Sequence, residues 1–352
     1  MKHKKNISKF GKSSSALLKI KKNFISENGF YVQEQNKIAK LYSKQKKRLV
    51  CKNCNNKNLI YLFNKFNNQV KYYECSNCGH LNGQFVDTED FCKKIYTVQN
   101  GATYAKNYAN ETKKGYLNRV KHIYKPKAEF LKNSLKKVNN INSYSILDVG
   151  CGSGYFVYAL FKIGFNNVKG IDVSKTQINF GNKINKFTFL EKIELENMNE
   201  CIKKSKADII SLIGVLEHVQ DPKLLLETIR KNRSIKYIYL SVPLFSLTVY
   251  LEIIFNNVYN RHLSGAHTHL YTEKSLDWLI KKYKFKKVSE WWFGLDINDL
   301  FRNIFVTLKS KGVSKKLSNN LKNLFNEISD NLQYELDKKK LSSEVHLLLK
   351  KK

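Results

Sequence analysis

The sequence predicts an α/β chain: a doubly wound, Rossmann-like parallel sheet with a small cysteine-framed module ahead of it and a helical insertion near its end. Three observations carry that expectation. Between residues 145 and 245, short apolar runs alternate with helical segments, as βαβ units do. Two C-x2-C pairs, Cys51/Cys54 and Cys75/Cys78, stand 20 residues apart upstream. From Asp296 to Lys340 the apolar spacing becomes helical.

Residues 1–45 are rich in lysine with little periodicity and are expected to form a mobile basic arm. Residues 46–92 form the next unit. Its C-x2-C-x20-C-x2-C pattern puts four thiolates around one tetrahedral Zn²⁺, and Gly79 suits the tight turn after the second pair. The intervening "LIYLFNKFNNQVKYYEC" reads as two strands around Asn67-Asn68, which makes a zinc ribbon. The expected role is structural, metal replacing a core too small to fold alone; a substrate or RNA reader is the alternative. His80 stays outside the four-cysteine ligand set. Cys92, Cys151 and Cys201 are expected to be small buried residues.

Residues 93–352 then form one domain. Its tyrosine-rich start, 100–131, reads as helical. Strands are expected at 146–149, 168–172, near 192–195, at 207–213 and at 236–242. Helices fall between them at about 153–163, 174–185 and 222–231, the last opened by Asp221 as cap and Pro222 in the first turn. Thr272 caps a further helix, and "FKKVSEWW" (285–292) is a strand. In the insertion, Leu317, Leu321, Leu324, Ile328 and Leu332 share one stripe, expected to pack on its own domain. "SSEVHLLLKK" (342–351) returns as an antiparallel strand beside 285–292.

"SILDVGCGSGYF" (145–156) marks a ligand site, because glycine at Gly150, Gly152 and Gly154 permits positive φ and close backbone approach. Two phosphate-binding patterns fail here. G-x-G-x-x-G would need glycine at Tyr155 or Val157, and no Gly-Lys-Ser/Thr follows for a P-loop. Asp148 before the turn repels phosphate but accepts hydrogen bonds from an ammonium group. Asp172, at the end of the next apolar run, suits the hydroxyls of a ribose. An amino-acid end at one acid and a nucleoside at the other describe S-adenosylmethionine (SAM).

At these residues the sequence resembles the class I SAM-dependent methyltransferases. The resemblance rests on "ILDVGCGSG", "GIDVS", "ADIISLIGVLEHVQDP" and "YIYLSVP", in that order over about 145–245. It implies a seven-stranded sheet, SAM as cofactor, and cofactor contacts from Asp148, Gly150, Gly152, Gly154 and Asp172. It also implies adenine-side contacts from the loop after the third strand, where Glu196, Asn197 and Met198 are alternatives and Met198 is carried forward. Glu217 of "LEHVQDP" is counted among the cofactor contacts. In quinone O-methyltransferases the resembling segment has a further acid three residues before this glutamate and is linked to a divalent metal. Here that position is Gly214. By arrangement alone, a zinc module ahead of such a domain also resembles sugar C-methyltransferases and some ribosomal-RNA methyltransferases.

Methyl transfer from a sulfonium is an in-line displacement, so the protein supplies positioning and, for a hydroxyl acceptor, a base. His218 is one candidate base. The other is the loop "NRHLSGAHTHLYTEKSL", with His269 and Tyr271 as catalytic candidates and Arg261, His262 and His267 beside them. This loop is expected to wall the acceptor site, with 244–251 as an apolar flap and Trp291, Trp292 and Asp296 near its rim.

The expected acceptor is a small molecule, a nucleotide sugar or surface-glycan precursor. An RNA methyltransferase and a non-catalytic SAM-binding protein are the alternatives. Net charge is +34 among 352 residues, but only six of the 63 basic residues are arginine, the side chain that bidentate phosphate and base contacts favour. Nucleic acid is therefore not the favoured partner. Seven cysteines without a secretory signal argue against a disulfide framework. The longest uncharged stretch, Tyr237–Leu251, has 15 residues, too few for a bilayer span. A cytoplasmic protein without transmembrane segments is expected.

Overall fold

The computed structural model describes residues 7–14, 27–96, 111–135, 143–186 and 188–352. Part of the tyrosine-rich segment lies outside them; its described part is helical over Lys113–Arg119 and Lys125–Leu135, joined by a π turn at Val120–Tyr124.

Among the described residues, the central sheet has eight strands in the order β1 (Ile7–Phe10), β11 (Phe285–Phe293), β12 (Glu344–Lys351), β9 (Tyr237–Pro243), β8 (Ile209–Ile213), β5 (Ser145–Val149), β6 (Asn167–Asp172) and β7 (Leu190–Lys192). β5 pairs parallel with β6 and β8, and β8 with β9. β12 runs antiparallel between β9 and β11, as the sequence predicts for the last strand. The third strand sits two residues earlier than expected, at 190–192. Because β-strand side chains alternate between faces, neighbours divide between two cores. Leu147, Leu240 and Trp292 pack on one face, Ile146, Tyr239 and Trp291 on the other. Both tryptophans are fully buried, so packing explains them and neither forms a rim.

The basic arm is not an unstructured tail among its described residues. Ile7–Phe10 adds an eighth strand, parallel to β11, and Asn28–Tyr42 is a helix. Trp291 Nε1 donates to Gly11 O at 2.9 Å, and Ser13 and Ser14 bond Asp330. These contacts anchor its first stretch, a tertiary effect that lysine content does not reveal.

The cysteine module is a second sheet, β2 (Leu59–Lys65), β3 (Val70–Cys75) and β4 (Leu81–Gly83). β2 and β3 turn at Phe66, Asn67 and Asn68, all at positive φ, where asparagine is tolerated better than most residues. A fourth strand, β10 (His269–Leu270), comes from the loop after β9 and pairs antiparallel with β4.

The insertion forms helices Asp296–Ser310 and Lys315–Lys338. Its apolar stripe does not pack inward as expected: Leu317, Leu324, Ile328 and Leu332 are exposed. The buried face carries Ser329, Gln333 and Asp337. Gln333 accepts from Ile297 N at 3.0 Å and donates to Asp337 at 2.9 Å, so this helix docks through a polar network. Among the described residues, no helix is long and apolar enough to cross a membrane.

Candidate functional site

A cavity of about 410 Å³ opens at the carboxyl ends of β5, β6 and β8, lined by Gly150, Gly152, Asp172, Met198, Val215 and His218 among others. Its size lies within the ~300–1,000 Å³ usual for small-molecule and cofactor sites. The glycine loop forms one wall. Gly150 and Gly152 take φ of +70° and +54°, and a Cβ on Gly152 would stand 2.8 Å from Gln177 Oε1. Side chains here would fill the cavity as well as strain the turn. Gly154, at φ +72°, starts helix Tyr155–Lys162 without a side-chain cap.

Asp172 lines the cavity, its carboxylate accepting from Gly152 N and Ser174 N, both at 2.8 Å. Burial raises its pKa and these hydrogen bonds oppose the rise. Each oxygen keeps a lone pair for a ligand hydroxyl. Asp148 is placed differently from the sequence expectation. It is buried beneath the loop and does not line the cavity. Ser211 Oγ donates to it at 2.6 Å, and burial pushes its pKa up to about 7. Asp148 therefore supports the turn from below. Of the loop alternatives, Glu196 and Met198 line the cavity and Asn197 does not.

His218 lines the same cavity. Its Nδ1 is 2.8 Å from Tyr96 Oη, and its ring centroid is 4.7 Å from that of His267. His267 Nδ1 donates to His262 O at 2.7 Å, which turns its other nitrogen away from that carbonyl. Glu217, His218 and His267 bring one donor atom each within 4.8 Å of one another. Glu217 Oε2 is buried without a hydrogen-bond partner, and burial raises its pKa to about 8. Glu217 itself does not line the cavity. Where the resembled quinone enzymes have a further acid, this chain has Gly214 at φ +67° and draws a third donor from His267 of a different loop.

His269 and Tyr271 are fully buried and lie behind the cavity, not on its surface. His269 Nε2 and Tyr271 Oη have no hydrogen-bond partner. Arg261 does not wall the cavity: Asp299 takes its Nε at 2.7 Å and Ser343 its Nη2 at 2.8 Å. Asp296 is likewise internal, accepting from Ser246 and Thr248. The expected flap is helix Leu247–Ile254, and its Val249 packs on the cysteine module instead of the cavity.

In the cysteine module the four sulfurs face one point. Cys54 and Cys75 Sγ are 3.4 Å apart, and Cys51 and Cys78 Sγ 3.7 Å. Bonds of about 2.3 Å around tetrahedral zinc place sulfurs ~3.8 Å apart, whereas a disulfide needs ~2.05 Å. The donor set thus fits zinc.

Sequence reasoning missed Tyr96 and Tyr124, which line the cavity from helix Glu89–Tyr96 and the π turn. The clustering of tyrosine around 96–124 was their signal.

Comparison with known proteins agrees with this geometry. A family model described as a methyltransferase domain matches residues 116–290. A ubiquinone biosynthesis O-methyltransferase of Hydrogenovibrio crunogenus is 28% identical over 148 residues, covering 38% of this chain and 58% of that one. Its counterpart in Rickettsia typhi is 32% identical over 109 residues, 30% of this chain and 43% of that one. The chain thus spans from about a third to somewhat over half of the curated relatives it matches. Among solved structures, magnesium protoporphyrin IX methyltransferase from Synechocystis aligns with a TM-score of 0.46 at 10% identity, over 75% of this chain and all of that one. On its ordered motifs, its sheet topology and the matched domain, the chain belongs to the class I SAM-dependent methyltransferases.

Proposed function

We propose that this protein transfers the methyl group of SAM to a hydroxyl oxygen of a small molecule, of the phenolic class to which quinone precursors belong. The observation that carries this reading is the cavity itself, which the glycine loop, Asp172 and His218 line together. Asp172 accepts from the ribose hydroxyls, and the glycine loop admits the amino-acid end against bare backbone. The methyl group then faces His218. A hydroxyl approaching in line from that side must lose its proton as the carbon–oxygen bond forms and the carbon–sulfur bond breaks. Burial holds His218 neutral, well below its usual pKa; the ring is therefore in its proton-accepting form, and the acceptor's own acidity must supply the driving force for the transfer.

Two further groups fit the residues present. Zn²⁺, where bound, would be held by Cys51, Cys54, Cys75 and Cys78 and would supply folding energy, not chemistry. A divalent cation, where bound, would be held by Glu217, His218 and His267 and would make an acceptor hydroxyl more acidic, taking the place of His218 as base; burying an unpaired Glu217 oxygen is otherwise costly. The relatives named above support the phenolic acceptor, and nothing in the site or in those relatives favours a nucleotide sugar.

Calorimetric titration with S-adenosylhomocysteine (SAH), followed by methyl-labelled SAM with 3,4-dihydroxybenzoate, a nucleotide sugar and RNA, tests the proposal. Transfer to the phenol is expected. Transfer only to RNA or to the sugar would overturn the acceptor class, and absence of SAH binding would overturn the cofactor reading.

A further inference from the structure

The helix Glu89–Tyr96 belongs to the cysteine module by its packing and to the cavity by its position. Phe91, Cys92 and Ile95 join Tyr42, Tyr72 and Phe85 in the module's own core. Glu89, Cys92 and Tyr96, spaced i, i+3 and i+7 on one face, line the cavity. The helix reaches both of its sides. Lys93 Nζ, which pairs with Glu89 at 2.7 Å, lies 3.8 Å from Glu196 in the segment after β7, whereas Tyr96 Oη lies 2.8 Å from His218 Nδ1 in the segment after β8. Between those two strands stand β5 and β6, which carry the glycine loop and Asp172.

The strand order decides which part of the cofactor the helix meets. β6 lies between β5 and β7, so Asp172 at its end has the glycine loop on one side and residues 193–198 on the other; Ile193 N donates to Asp172 O at 2.9 Å. In SAM the ribose likewise separates the amino acid from the purine. With the amino acid on the glycine loop and the ribose on Asp172, the purine falls against Ile193, Leu195 and Met198, an apolar surface suited to a flat ring. The helix adjoins that surface at the Lys93–Glu196 contact, and Leu195 packs against the module's core.

We propose that the cysteine module is part of the cofactor site: its helix Glu89–Tyr96 walls the purine end with Glu89 and Cys92, so that cofactor affinity depends on the order of the module. The inference rests on the methyltransferase reading above and goes beyond it, since a purely structural ribbon would leave SAM to the α/β domain alone. The link from the four cysteines to the helix is short. Lys52, next to Cys51, forms an ion pair with Asp87, two residues before the helix, and Arg48 holds the same carboxylate at 2.7 Å. Lys52 and Asp87 are buried. Removing one partner of a buried ion pair is costly, so lost order around Cys51 passes to the helix.

The test uses the full-length, zinc-loaded protein with SAH as probe. E89W puts an indole at the assigned purine end, on an exposed position where substitution costs little stability. Trp278, Trp291 and Trp292 do not line the cavity, so SAH is expected to quench indole emission in E89W, by stacking of base on ring, and not in the wild type. SAH bound to E89W without quenching overturns the proposal. 5′-Methylthioadenosine, which keeps base and ribose but lacks the amino acid, is expected to quench as SAH does; its binding without quenching overturns the assignment to the purine. C92F fills the space between helix and base and is expected to weaken SAH at least ~10-fold by calorimetry, about what one face of an aromatic ring taken out of water is worth. Wild-type affinity in a folded C92F would refute the wall, and should C92F fail to fold, E89W still decides. Removal of zinc by a chelator is expected to bring a loss of similar size; full SAH affinity after zinc release would refute the dependence on the module. Failure of the zinc-loaded wild type to bind SAH would instead sink the methyltransferase reading itself.

Discussion

Asp172→Ala removes the acceptor to which the cofactor's ribose is assigned, and its effect can be worked from the contacts. The carboxylate fixes Gly152 N–H and Ser174 N–H, each at 2.8 Å, and keeps lone pairs directed at the cavity. Hydrogen bonds to an ionised group contribute about 1.5–3 kcal/mol each, so two ribose hydroxyls together stand for roughly 3 kcal/mol. That is about 150-fold in SAH affinity. The structural cost is smaller, because Asp172 is only partly buried and water from the cavity can reach both freed N–H groups. Calorimetric titration with SAH, paired with a thermal melt, separates the two effects. Burial raises the Asp172 pKa, so wild-type affinity should also fall as pH drops through that raised value, and the alanine variant should lose this dependence. A folded Asp172→Ala protein that binds SAH within threefold of wild type would refute the ribose assignment.

Four further outcomes are expected. Gly152→Val adds a Cβ within 2.8 Å of Gln177 at positive φ, and should abolish SAH binding and cost about 1–3 kcal/mol of stability, read by calorimetry and melting. Cys51→Ser should release zinc, measured by metal analysis, and lower the melting temperature, since the site replaces a core. Glu217, with its pKa raised to about 8, binds a proton in the folded state that it loses near the ordinary 4.5 when unfolded. Stability should therefore fall as pH rises between those values and level off above about 8, and Glu217→Gln should flatten that slope by a few kcal/mol in order of magnitude; denaturant unfolding across that range checks it. Leu317→Gln with Leu324→Gln, on the exposed stripe, should change stability by less than ~0.5 kcal/mol each, which urea unfolding would detect.

Local rules are legible in a chain without neighbours. Glycine at positive φ, an acid at a strand end, paired cysteines and period-2 or period-3.6 apolarity all act within a few residues. On these the strands from β5 to β9 and the returning β12 fall where the sequence puts them, Gly150, Gly152 and Asp172 line one cavity, and the four cysteines come together. Asp148 was misplaced because one residue along a strand reverses the face, and only pairing with Ser211 shows which face it takes. Arg261 is turned away from the expected acceptor wall by Asp299, a partner 38 residues away. The stripe of the insertion was misread for a related reason: apolar periodicity says that a face exists, but the polar network around Gln333 decided which face docks.

The sequence by itself determined the strands of the methyltransferase sheet, the glycine loop and the four-cysteine module, because each depends on residue type at short spacing. Only the tertiary structure joined the module to the domain. Strand β10, lent to the ribbon's edge, and the contact of His80 with His269 link residues 189 positions apart. Such contacts are set by which surfaces bury together, and no local pattern encodes them.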